Sequence, residues 1–304
     1  MTVNEIKQQI TELKSKTDTA VIAHSYMAPE ILEIADLKGD SFVLSVNAAK
    51  LKQKRVIMCG VKFMAETVKM LSPDKTVILA APEATCPMAD QISPERVRSF
   101  KKENPGYIVA CYINTNAALK SECDVCVTSS SALKILEKIP QKNILFVPDA
   151  NLGMYIQKML PGKNILLWDG CCPIHSEITA EDVENAMRNH PDAKLLAHPE
   201  CKAEVLDKAF LVGSTAAILD YASNNDGEFI IGTEKGVYDW LSMEYPNKRF
   251  HLLSKKLICP DMKITAMIDV LKALKGNGGL EIIMSETDIS SAKKCIDKMI
   301  ELGE

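Results

Sequence analysis

The chain has 304 residues, 47% of them hydrophobic and 25% charged, with a formal net charge of −4. That balance is the one expected of a soluble globular protein of about two domains. It lacks the positive surface that displaces counterions from nucleic acid, and no apolar run approaches the roughly 18 residues that span a bilayer.

The N-terminal stretch, residues 1–16, is predicted to be a polar amphipathic helix with Ile6, Ile10 and Leu13 on one face, without the apolar core of a signal peptide. A cytoplasmic protein with neither nucleic-acid nor membrane partners is expected. Ten cysteines are many for such a chain. A cytosolic compartment keeps thiols reduced, so a disulfide framework is not expected, and most free cysteines pack as small hydrophobes.

Beyond the N-terminal helix, one pattern recurs three times at a period of about 86 residues. Each copy opens with a short apolar run that ends in polar residues: Ala20 to His24-Ser-Tyr26, Tyr107 to Tyr112-Ile-Asn114, and Lys194 to His198-Pro-Glu200. A second predicted strand ends at Ser41, Ser129 or Ser214. A helical stretch then leads to a third strand: Arg55–Gly60, Asn143–Pro148 and Glu228–Gly232. Another helix and a fourth strand run into Cys86-Pro87, Cys172-Pro173 and Cys259-Pro260, whose cysteines are 86 and 87 residues apart.

Short apolar strands alternating with helices predict parallel sheets buried on both faces. Functional groups of such sheets gather beyond the carboxyl ends of the strands, where the polar residues above fall. The expected fold is therefore α/β: three small α/β/α domains with parallel sheets, related by a pseudo-threefold axis. Their bounds are 1–90, 91–176 and 177–262, with helical linkers at Pro94–Lys102 and Ala180–Asn189. Residues 263–304 are predicted to form a C-terminal helix, a strand at Leu280–Met284 after the Asn277-Gly-Gly279 turn, and a helix at Ser291–Leu302.

A threefold repeat brings equivalent positions together, so the three Cys-Pro cysteines are expected to meet as soft ligands of one metal centre, zinc or an iron–sulfur cluster. A lone cysteine at a strand end is ordinarily just buried; recurrence at two matching intervals, each time before proline, argues for ligation. Spacing alone does not separate Cys171 from Cys172. Cys123-x-x-Cys126 has no second pair at zinc-knuckle distance and is assigned to the core, as are Cys59, Cys111, Cys201 and Cys295.

The pairs His24/Tyr26, Tyr112/Asn114 and His198/Glu200 are spaced i, i+2. On an extended strand both members would face one side and line one cavity. Ser129 and Ser214-Thr215 mark strand-to-helix junctions whose free N–H groups suit a carboxylate or phosphate, alongside ordinary N-capping, and Ser41 occupies the corresponding position of the first copy. His175 follows Cys172 by three residues; His190 and His251 look incidental. There is no dinucleotide fingerprint and no P-loop.

The motifs His24-Ser-Tyr26, Thr85-Cys86-Pro-Met-Ala89, Tyr112-Ile-Asn114-Thr, Pro148-Asp149-x-Asn151-Leu-Gly153, Trp168-x-Gly170-x-Cys172-x-x-His175, His198-Pro-Glu200-Cys, Gly213-Ser-Thr215, Gly232-Thr-Glu234 and Cys259-Pro-x-Met262-Lys resemble those of the quinolinate synthase family over nearly the whole chain. The resemblance implies a transferase of NAD biosynthesis that condenses iminoaspartate, supplied by an aspartate oxidase or dehydrogenase, with dihydroxyacetone phosphate. The products are quinolinate, phosphate and two waters.

It further implies one [4Fe-4S] cluster on Cys86, Cys172 and Cys259, with one iron left open as a Lewis acid. Cys172 is chosen over Cys171 because the family's cysteine stands three residues before its histidine. Glu200 is expected to be the general base or proton shuttle, coupled to Tyr26 or His198, with Tyr112 and His175 as further acid–base candidates. His24, Ser41, Asn114, Ser129, Ser214 and Thr215 are expected to bind substrate. The chain departs from the family at Ser131, often Asn, and has only Cys259 where some members carry a Cys-x-x-Cys-x-x-Cys run. Rival readings are another cluster-dependent hydro-lyase, a non-enzymatic iron–sulfur sensor and a zinc protein.

Overall fold

Every residue of the strand β1 (Thr19–His24) is buried, as a strand covered on both faces requires. It lies inside a sheet with β2 (Leu37–Gly39), β3 (Arg55–Cys59) and β4 (Thr76–Leu79) in the order β4-β3-β1-β2. The computed structural model, which describes residues 1–303, has two further sheets. One contains β5 (Ile108–Tyr112), β6 (Val125–Val127), β7 (Asn143–Val147) and β8 (Asn164–Leu167), ordered β6-β5-β7-β8. The other contains β9 (Lys194–Ala197), β10 (Leu211–Val212), β11 (Glu228–Gly232) and β12 (Arg249–Leu252), ordered β10-β9-β11-β12. All three therefore share the order second, first, third, fourth, and every pairing among these twelve strands is parallel. The fold class is the α/β class expected.

The chain divides into two compact units. The first is Met1–Cys86 with Pro260–Lys293; the second is Pro87–Cys259 with the chain from Lys294 on. In the first unit the helix Val3–Lys16 starts with a capping box in which Thr2 and Glu5 each satisfy the other's backbone N–H. The C-terminal segment takes its place here. The helix Met267–Lys275 ends at Gly276, whose φ of 74° is the left-handed C-cap conformation that glycine adopts freely. Arg55 donates to the carbonyls of Ala273 and Leu274 at that helix end, at 2.5 and 3.3 Å. The strand β13 (Leu280–Glu281) then adds antiparallel to the free edge of β4, pairing Leu280 with Leu79. It is shorter than the predicted Leu280–Met284, because two residues are enough to cover this edge.

In the second unit the helices Pro94–Glu103 and Ala180–Asn189 stand where linkers were expected. The helix Glu286–Gly303 begins five residues earlier than predicted, and its last turn is held in the second unit by Lys134 and Lys138, which donate to the carbonyls of Gly303 and Leu302. Cations at a helix C-terminus meet its unpaired carbonyls and negative dipole end. Among the described residues no helix is long and apolar enough to cross a membrane.

Two details differ from the expected local structure. The second strands stop before Ser41, Ser129 and Ser214, which lie in the turns and helix starts that follow. The strands β1, β5 and β9 end at or before the first member of each i, i+2 pair, so Tyr26, Asn114 and Glu200 lie in turns rather than on strands.

Lys120 holds one of those turns. Its side chain is wholly buried, and Nζ donates to the carbonyl of Ile113 at 2.8 Å and to that of Thr115, on either side of Asn114. Lys120→Met keeps the volume but leaves those carbonyls without their donor. It is expected to destabilise the apo-protein by about 1–3 kcal/mol, read as a lowered melting temperature in thermal unfolding; an unchanged melt would contradict the clamp.

Candidate functional site

The second unit gathers its polar residues at the carboxyl ends of β5, β9 and β11. Glu200 is 3% exposed, and its Oε2 accepts the Nδ1–H of His175 at 2.8 Å. His198 Nδ1 lies 3.9 Å from the same oxygen and accepts the backbone N–H of Glu200 at 3.4 Å. That bond sets the tautomer of His198: Nδ1 is the acceptor, so Nε2–H faces Ser129 Oγ, 3.3 Å away. Tyr112 also hydrogen-bonds to the Glu200 carboxylate. Asn151 Nδ2 donates to the Glu200 carbonyl at 3.0 Å, and Thr233 Oγ1 meets His175 Nε2 at 3.1 Å.

The electrostatics follow from this enclosure. Burial by itself would raise the Glu200 carboxyl, but the imidazoles of His198 and His175 and the hydrogen bonds from His175 and Tyr112 hold it down to about 2. Burial pushes His198 down to about 4, partly offset by Glu200, so its ring is neutral. Burial, then the charge of Glu200, pushes Asp149 up to about 7 against the backbone N–H bonds it accepts from Leu152 and Cys172.

Cys172 closes the group on one side. Its sulfur lies 3.3 Å from His175 Nδ1, and the thiol, imidazole and carboxylate ligand atoms of Cys172, His175 and Glu200 all lie within 4.8 Å of one another. Cys171 is oriented differently: the Gln91 amide brackets its backbone, accepting its N–H at 2.9 Å and donating to its carbonyl at 3.0 Å. Gly170 beside them has no room for a side chain, since a Cβ there would stand 2.6 Å from the Pro148 carbonyl oxygen.

Of the ten cysteines, only Cys86, Cys171, Cys172 and Cys259 are partly exposed. Partial exposure leaves these four thiols, the Cys-Pro cysteines among them, each accessible to a soft metal. The assignment of Cys123, Cys126, Cys111 and Cys295 to the core agrees with their burial; Cys123, Cys126 and Cys295 pack thiol to thiol around Cys111. Burial pushes Cys59 up to about 12, and such thiols stay protonated.

Asn114 was expected to face the site from β5. Its Oδ1 is buried with no hydrogen-bond partner. Ser214 caps the helix Thr215–Asn224, accepting the N–H of Ala217 at 3.2 Å, and Ser214 and Thr215 are both buried. In the first unit His24 Nδ1 accepts the N–H of Tyr26 at 3.1 Å, and the two rings meet edge to face at 4.6 Å. This is the same turn as in His198-Pro-Glu200. Ser41 is the first residue of the helix Ser41–Ala48, which Asp40 caps.

Sequence reasoning singled out neither Thr233 nor Asp149 and Glu234 as functional candidates. The available signal was positional: they follow the third strand of their repeats, as Val61 does in the first.

Fold and site together define an α/β protein with a metal-capable thiol–imidazole–carboxylate group beyond the carboxyl ends of parallel strands. The profile of the family described as Quinolinate synthetase A protein matches residues 8–301. Relatives named quinolinate synthase include those of Caldicellulosiruptor saccharolyticus, 45% identical over the whole of both chains, and Clostridium kluyveri, 44% identical over 97% of each. That of Methanoregula boonei is 41% identical over 98% of each. The chain belongs to the quinolinate synthase family.

The pH dependence of stability tests the buried imidazole. Unfolded His198 takes up a proton near its ordinary 6.5, whereas in the folded protein it does so only near 4. Folding is thus opposed progressively as pH falls from 6.5 to 4, by up to about 3 kcal/mol. Asp149 works in the opposite sense: its contribution is complete below its ordinary 3.8 and is lost as pH rises through about 7. The comparison that isolates His198 is therefore wild type against His198→Gln. The variant is expected to gain stability relative to wild type as the pH of the apo-protein melts is lowered through that window, and a constant difference would contradict it.

Proposed function

We propose that the chain is a quinolinate synthase of NAD biosynthesis. It would condense iminoaspartate with dihydroxyacetone phosphate, releasing phosphate and two waters, with a [4Fe-4S] cluster on Cys86, Cys172 and Cys259. The observation that carries the reading is the buried Glu200 carboxylate, bonded to His175 and Tyr112 beside the Cys172 thiol, in a chain of this family. The bound cluster supplies a Lewis-acidic iron with an open coordination position.

The protein's own groups then divide the remaining work. Asn114 Oδ1 offers a buried acceptor for a substrate N–H or O–H. Neutral His198 presents Nε2–H beside Ser129, and with Ser214 and Thr215 these donors suit carboxylate and phosphate oxygens. His24 and Ser41 are the proposed counterparts in the first unit.

Glu200 is too weak a base in the resting site, held near 2. A substrate carrying carboxylates and phosphate brings negative charge, which raises the proton affinity of Glu200. The carboxylate then accepts and holds a proton from substrate, oriented by the hydrogen bonds it receives from His175 and Tyr112. Tyr26 is the corresponding proposed acid–base group of the first unit.

A second reading is specifically favoured by the close approach of Cys172, His175 and Glu200, a donor set that also suits zinc. Metal analysis of anaerobically purified protein separates the two. About four irons and four sulfides per chain support the cluster, and stoichiometric zinc without sulfide overturns it. Glu200→Gln is expected to retain the iron and to lower quinolinate formation from the two substrates by at least about 100-fold. Turnover at the wild-type rate would remove Glu200 from the chemistry.

A further inference from the structure

Two carboxylates outside the proposed chemistry hold the backbone of two of the three Cys-Pro turns, at one position of the repeat. Asp149 and Glu234 are both wholly buried. Each follows the third strand of its sheet and caps the next helix: Asp149 Oδ1 accepts the N–H of Leu152 at 2.7 Å, and Glu234 Oε2 accepts that of Gly236 at 2.6 Å. The other oxygen of each accepts from a cysteine. Cys172 N–H donates to Asp149 Oδ2 at 2.8 Å, and Cys259 N–H to Glu234 Oε1 at 3.2 Å.

The adjoining backbone matches. Ala150 N–H bonds the Gly170 carbonyl and Lys235 N–H bonds the Leu257 carbonyl, both at 2.7 Å, so each acceptor lies two residues before the cysteine. The first sheet has the same backbone bond, from Lys62 to Ala84 at 3.0 Å, two residues before Cys86. Its capping position, however, is Val61, which has no side-chain oxygen.

Capping alone does not explain a buried acid. Ser214 and Asn116 cap other helices of this unit without the desolvation cost of a carboxylate. A carboxylate differs in accepting strongly on both oxygens at once, which lets it join the helix start to the cysteine turn. It also engages the cysteine N–H, a group that would otherwise be free to reach a sulfur.

Resting on the cluster reading above, we infer that Asp149 and Glu234 are positioning residues. They fix the Cys172 and Cys259 turns for ligation by tying each cysteine N–H to a helix start, while the Cys86 turn is built without such a carboxylate from its own capping position. A carboxamide at either site must turn its NH2 toward one of two N–H donors, so Asp149→Asn and Glu234→Gln preserve size and break one bond each.

The test uses anaerobic holoprotein: wild type, the two carboxamide variants, and Thr2→Ala, which removes the capping box of the helix Val3–Lys16, outside the segments that form the cysteine turns. Each carboxamide variant is expected to lose iron to a ferrous chelator about tenfold faster or more. Its midpoint potential, followed by EPR, should shift from the wild-type value because the hydrogen bonding of the ligand backbone beside the sulfurs has changed. Thr2→Ala should lower the melting temperature and leave iron loss and potential unchanged, which separates positioning from general destabilisation. Should Asp149→Asn not fold, Glu234→Gln at the equivalent position carries the test. Wild-type rates and potentials in the carboxamide variants would overturn this inference alone; wild-type protein holding zinc, or no iron–sulfur cluster, would overturn the cluster reading and this inference with it.

Discussion

A carboxylate removed from water must be met by charge or by hydrogen-bond donors, and Glu200 is met on every side. His175 and Tyr112 bond its oxygens, His198 accepts its backbone N–H, and Asn151 holds its carbonyl. Removing His175 or Tyr112 strips a donor from a charge in a low-dielectric interior, where an uncompensated ion costs several kcal/mol. The partners are fixed in turn by Thr233 and Ser129, so the orientation of each ring is set from outside the immediate group. The site therefore behaves as one network, and its members are not independent contributors.

The same physics recurs in the surrounding scaffold. Parallel strands bring their carboxyl ends to one edge, and the turns there leave backbone N–H and carbonyl groups without sheet partners. Buried ionic side chains fill that need in the second unit. Lys120 collects two carbonyls around Asn114, and Asp149 and Glu234 collect the N–H groups of helix starts and cysteine turns. These charges act on backbone, which makes the turns rigid where chemistry requires fixed geometry.

Cysteine usage separates along the same line. Buried thiols such as Cys59, at the end of β3, and Cys201, in the bend after β9, are pushed up by burial and remain protonated packing groups. The Cys-Pro thiols lie beyond the strand ends, partly open, where a thiolate can be stabilised by a metal.

Much of this was legible in the residues. The apolar runs at fixed intervals indicated three parallel sheets, and the polar strand ends marked where His175, His198 and Glu200 meet. Periodicity reports burial, which is local and repeats with the chain. It does not report which donor meets which acceptor across a turn. The i, i+2 pairs looked like strand residues, yet His24 and His198 each fold the chain back to accept an N–H two residues on. The edge pairing of β13 with β4, the clamp of Lys120 and the double acceptance by Asp149 and Glu234 join residues far apart or in irregular backbone. Composition and spacing thus determined the class of fold and which residue types are available for chemistry, whereas the pairing of buried polar groups was decided by tertiary structure, because only the folded turns bring each side chain to the backbone groups that stabilise it.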